Sequence, residues 1–112
     1  MRKQTLLLVS ALCALPALAE TQTFKNVSVV DAKCAAKVAA NPDEHTRACA
    51  MQCSSAGFVI ITPDKKTLKL DPSGNATLME ELKASQKKDH LRANVSGEVE
   101  GDTLKVQSIK LL

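Results

Sequence analysis

The sequence predicts a mainly β domain, a small five-stranded barrel carrying a helical insert, on three observations. Short β-branched or alternating segments recur through residues 20–112. Clusters of Pro, Gly, Asn and Asp separate them. Two stretches of helical character interrupt the strands, one early and one late.

Ahead of that domain, residues 1–19 read as a cleaved signal peptide. Arg2 and Lys3 are followed by an apolar run over residues 6–15 and the small-residue site Ala17-Leu18-Ala19. The run is too short for a hydrocarbon core of about 30 Å, and Pro16 and polar Glu20 follow it, so no membrane span is expected after cleavage. Ser10 stands where a lipoprotein signal carries leucine before its acylated cysteine, so Cys13 is expected to leave with the signal. The basic start and short apolar run look bacterial, and the expected location is periplasmic or secreted.

Residues 20–112 then form one domain. The first strand is residues 21–30, TQTFKNVSVV, with Val27 and Val29 on one face. Asp31 can cap a short apolar turn, and a helical insert is expected at about residues 31–56. Within it, residues 42–56 read as one helix: Asn41 at the N-cap, Pro42 in the first position, acidic Asp43 and Glu44 at the positive dipole end, and Gly57 as the stop. The run Phe58-Val59-Ile60-Ile61 is too short and too β-branched for a helix and reads as a buried strand. Pro63-Asp64-Lys65-Lys66 turns it into the alternating Thr67-Leu68-Lys69-Leu70, completing a hairpin. Residues 72–75, PSGN, read as a break, and Thr77-x-x-Glu80 as a capping box opening a helix that fades near Lys87. Two strands close the chain around Glu100-Gly101-Asp102, with a parity shift between Val106 and Ile109 that predicts a bulge.

Strand, helical insert, strand, strand, helix, strand, strand is the order of an OB-like fold, a five-stranded Greek-key barrel with a helix between its third and fourth strands. Closure would also remove the exposed edges of a small sheet. Beyond this order, Asp31-Ala-Lys-Cys34, the spacing His45-x3-Cys49-x3-Cys53-x3-Gly57, the Leu-Lys-Leu-Asp strand and the closing segment from Val95 to Ile109 resemble a group of small secreted bacterial proteins with a single OB-like domain. The resemblance covers nearly all of residues 20–112 and implies fold and compartment; that group has no settled biochemical activity. The chain also resembles periplasmic bacterial OB-fold proteins, which implies a small ligand.

Composition excludes some functions. Residues 20–112 hold thirteen basic and twelve acidic side chains, a balance of +1, so no concentrated basic face marks a polyanion binder. Phe24 and Phe58 are the only aromatics of the domain, far short of the stacking platforms that single-stranded nucleic acid binders use. Nucleic acid is thus an unexpected partner, and a small ligand or a protein the expected one. No Gly-rich phosphate loop, Cys-x2-Cys redox pair or Ser-His-Asp order is present, Glu80 and Glu81 point to different helix faces, and His90 reads as a solvated edge residue. An enzyme is not expected.

Three cysteines remain after the signal: Cys34, Cys49 and Cys53. On a continuous helix Cys49 and Cys53 would lie about 5–6 Å apart at Cβ. A disulfide wants about 3.5–4.5 Å. Cys34 is therefore the expected partner of one of them, in a compartment where disulfides persist. The alternative is metal binding by Cys34, His45, Cys49 and Cys53, three thiolates and an imidazole suited to zinc or copper, although no cofactor is needed by the leading reading. A third reading leaves a redox-active free thiol, with His45 as its base. The function expected is a non-enzymatic extracytoplasmic binding or interaction module with a disulfide-stapled insert.

Overall fold

The computed structural model describes residues 20–112; the expected signal, residues 1–19, lies outside them. The described chain is a five-stranded closed β-barrel with short helices, consistent with the OB-like α+β expectation. Strand β1 (Thr21–Asp31) leads through the insert to β2 (Phe58–Ile61) and β3 (Thr67–Leu70). Helix α3 (Pro72–Ala84), then β4 (Arg92–Glu100) and β5 (Thr103–Leu111), complete the domain. Around the barrel the order is β1-β2-β3-β5-β4, with β4 returning to β1. All pairings are antiparallel except β3 with β5, which joins Lys69 to Thr103 and Leu70 to Leu104.

Two irregularities let so few strands close. In β1 the register against β4 shifts between Phe24 and Val27, where Asn26 takes a positive φ of 53°. Beyond this bend β1 begins to pair with β2, from Ser28 onward. In β5, Ser96 faces Ser108 while Gly97 faces Val106, leaving Gln107 as the extra residue. The parity shift in the sequence thus corresponds to a bulge. The strands approach so closely there that a Cβ on residue 97 would stand 2.2 Å from the Lys105 carbonyl oxygen, which requires glycine.

Alternation decides what goes inside. Val27, Val29, Phe58, Ile60, Leu68, Leu70, Ala93, Val95 and Leu104 fill the barrel together with Leu78 and Leu82 from α3. The other face of β2 is also dry. Val59 and Ile61 join Val30 and Ala35 in a second apolar cluster under the insert, so FVII is buried on both sides.

Helix α3 begins five residues before the expected capping box. Asp71 is its N-cap, its Oδ1 accepting from the Gly74 N–H at 3.1 Å, and Pro72 occupies the first turn, where a missing N–H costs nothing. The same carboxylate oxygen accepts from the Val106 N–H at 3.2 Å, so one side chain fixes both the helix start and β5. The apparent break PSGN is therefore the first helical turn. The helix ends at Ala84, earlier than expected.

The insert differs most from expectation. Instead of one helix over residues 42–56 there are α1 (Ala35–Val38), a single 3-10 turn at Pro42–Glu44, α2 (Arg47–Gln52) and a second 3-10 turn at Ser54–Ala56. The break falls at His45, whose backbone is extended at φ −71°, ψ 124°. Thr46 then starts a new helix by accepting from the Cys49 N–H at 3.1 Å. Gly57 does end the insert, at φ 83° and ψ −173°, a conformation open essentially to glycine alone. Its missing side chain also makes room for Asn75, which accepts from the Phe58 N–H and donates to the Leu70 carbonyl.

Candidate functional site

Where β1 hands over to the insert, the chain places a carboxylate with no exposure at all, Asp31. A buried carboxylate must be satisfied by donors, and this one has two. His45 Nε2 donates to Oδ1 at 2.6 Å, and the Cys34 N–H donates to Oδ2 at 2.9 Å. The second bond turns the chain into α1, as expected of Asp31. The first accounts for the break in the insert: His45 reaches back fourteen residues to the end of β1 and leaves the helical path to do so. His45 is itself 8% exposed.

Beside this pair stand two thiols. Asp31, Cys34 and Cys53 each bring a donor atom, a carboxylate oxygen or a sulfur, to within 4.8 Å of the others. Cys34 lies in the turn before α1 and Cys53 in the C-cap of α2, so the barrel, the first part of the insert and its last helix meet at one point. Both cysteines are half-buried and both are free thiols. Burial first, and then the Asp31 carboxylate and the neighbouring Cys53, push the Cys34 thiol above its ordinary range.

Of the four residues named from the sequence, the structure brings Cys34 and Cys53 together and adds His45 through Asp31. Cys49 lies apart, exposed, on a cleft of about 340 Å³ that it shares with His45, Thr46 and Lys37. The separation follows from the break. With α2 restarted at Thr46, Cys49 sits in its first turn facing outward, and Cys53 leaves the helical path at φ −100°, ψ 18° to face Cys34. Asp31 is the member that sequence reasoning used only as a cap. The signal available was Asp-x-x-Cys at a strand end, the spacing at which a carboxylate both caps a turn and meets the side chain at its far side.

The surroundings of this point are held by charge and hydrogen bonds. Arg92 of β4 grips Asp43 with two bonds, Nε to Oδ1 at 3.0 Å and Nη2 to Oδ2 at 2.8 Å, and holds its carboxyl below the usual range. Arg47 of α2 donates to the carbonyls of Leu82 and Lys87, at and beyond the C-terminal end of α3. His90, by contrast, is exposed beside Asp89, whose hydrogen bond raises its pKa.

Comparison with known protein families, with curated proteins and with solved structures finds no match. Among the described residues, no helix is long and apolar enough to cross a membrane.

Proposed function

We propose that the chain is a non-enzymatic binding module of OB-like fold that works outside the cytoplasm, with its insert stapled to the barrel by a disulfide between Cys34 and Cys53. The observation that carries this reading is the convergence of those two sulfurs beside Asp31. In an oxidising compartment, adjacent thiols on separate turns close readily, and an exported small domain gains stability from such a link. Cys53 rather than Cys49 is the partner because the insert turns Cys49 outward.

The OB-like reading rests on the strand order, the parallel β3–β5 pair and the helix between β3 and β4. The export reading rests on the sequence of residues 1–19. Against thiol catalysis stands the Cys34 environment, where burial and then an adjacent carboxylate oppose the thiolate that a nucleophile needs. The expected ligand is a small molecule or a protein held along the insert. One cleft of about 340 Å³ between insert and barrel is bordered by Asn26, Asn41, Asp43, Lys65 and Arg92, a polar lining of a size that suits a small ligand.

Alkylation of the protein taken from the export compartment without reductant, followed by peptide mapping, tests the staple. A single alkylated thiol at Cys49 and a linked peptide joining Cys34 to Cys53 are expected. Alkylation of all three cysteines overturns it.

A further inference from the structure

We propose that in the reduced chain Asp31, Cys34 and Cys53 form a binding site for one zinc(II) ion, with His45 as a positioning residue behind the carboxylate. This does not rest on the reading above. It concerns the thiol form of the same two sulfurs, and the disulfide and the metal exclude each other.

Geometry comes first. Zinc–sulfur bonds of about 2.3 Å and zinc–oxygen bonds of about 2.0–2.2 Å in a tetrahedron set neighbouring donor atoms about 3.4–3.8 Å apart. The three donors already lie within 4.8 Å of one another, so side-chain rotation of about an ångström completes the set without moving the barrel. Each is anchored by a different element: Asp31 by β1, Cys34 by the turn into α1, Cys53 by the end of α2.

The carboxylate is fixed and still has capacity. Its two oxygens offer roughly four acceptor positions, of which His45 Nε2 and the Cys34 N–H use two. Ligating carboxylates are themselves normally hydrogen-bonded, and such outer partners set ligand direction. His45, nearly buried, has that place here.

The donor set also selects the ion. Two thiolates exclude magnesium and calcium, which take oxygen, and a carboxylate in the set disfavours copper(I), which prefers sulfur throughout. Electrostatics agrees: a buried carboxylate beside two potential thiolates gathers negative charge that a divalent cation relieves. Zinc(II) replaces the two thiol protons, giving two zinc–sulfur bonds and releasing two protons to solvent, with no change of oxidation state. Half-exposure of both cysteines leaves a path for the ion and a fourth position for water.

The test is titration of the reduced protein with cobalt(II) under inert gas, followed by displacement with zinc(II). Expected are a thiolate-to-cobalt charge-transfer absorption saturating at one ion per chain and release of two protons per ion. Cys49→Ser should leave both unchanged, while Cys34→Ser and Cys53→Ser should each weaken binding by more than about 100-fold and His45→Gln by about 10-fold. Circular dichroism of each variant confirms that the barrel is formed. No charge-transfer band in the reduced wild type, a band that survives in Cys34→Ser or Cys53→Ser, or one lost in Cys49→Ser overturns the site. The alkylation map separately decides the staple.

Discussion

The barrel and its insert are stabilised by different physics. Inside the barrel the side chains are apolar and alternate with the strand period, and Ile60, Leu78, Leu82, Ala93 and Leu104 have no exposure. The insert has a smaller apolar contact, Ala35 with Ala32, Val38 and Ala39 over Val30, Val59 and Ile61, and Ala50 and Met51 of α2 against the barrel core; to this it adds specific polar bonds: His45 to Asp31, Arg92 to Asp43, and Arg47 to the end of α3. Burial is forgiving of detail and visible as a pattern. Clamps of this kind depend on one partner being in one place, and no local pattern announces them.

The largest expected effect lies on the barrel side. Leu82→Ala removes a wholly buried side chain of α3 from the core and should cost about 2–5 kcal/mol in denaturant unfolding, with insert and barrel probes falling together. Next, His45→Ala leaves the buried Asp31 carboxylate without its main partner, at a cost of about 1–3 kcal/mol. Here hydrogen exchange should distinguish the regions: amides of residues 32–57 lose protection while those of β4 and β5 keep it. Equal loss in both would show that insert and barrel unfold as one unit and are not separately stabilised.

A smaller effect is expected from the Asp43–Arg92 pair, about 0.2–1 kcal/mol because both side chains are partly exposed. Its sign is set by Asp43, whose folded pKa lies below the unfolded 3.8. The pair therefore stabilises above that value and is lost as pH falls through the lower folded one. The stability gap between wild type and Arg92→Ala should narrow below about pH 4. Smallest is His90, whose pKa is raised from 6.5 by Asp89. Any contribution it makes is complete below that value and fades as pH rises through the folded one, and Asp89→Asn should return its NMR titration midpoint toward 6.5.

These same differences explain what could be read from the sequence. The strands were legible because period-two alternation and β-branched runs specify a face, and even the bulge at Gln107 left a parity shift between Val106 and Ile109. The start of α3 was obscured because Pro72 and Gly74 are breakers in most contexts, and only the cap from Asp71 turns them into a first helical turn. The insert looked like one helix because its punctuation at Asn41, Pro42 and Gly57 is locally consistent. What interrupts it is the bond from His45 to Asp31, a non-local demand that overrides local propensity. The candidate site shared that fate. Cys34 stood out as the cysteine away from the helix, but the choice of Cys53 over Cys49 depends on the restart at Thr46, and Asp31 enters only because the strand end buries it.

The insert leaves the barrel at Asp31 and rejoins it at Phe58, and those two residues are cross-strand partners. Opposed residues on antiparallel strands stand about 4.5–5.5 Å apart at Cα, a gap that a tight turn can bridge. The whole segment is thus a detour from a single rung of the ladder, a cassette whose length and content can change without any strand changing its neighbour. Exchange of this cassette, with Val30, Val59 and Ile61 kept covered and the place of Ala50 in the core kept filled, offers a route to re-equipping the same barrel for another partner.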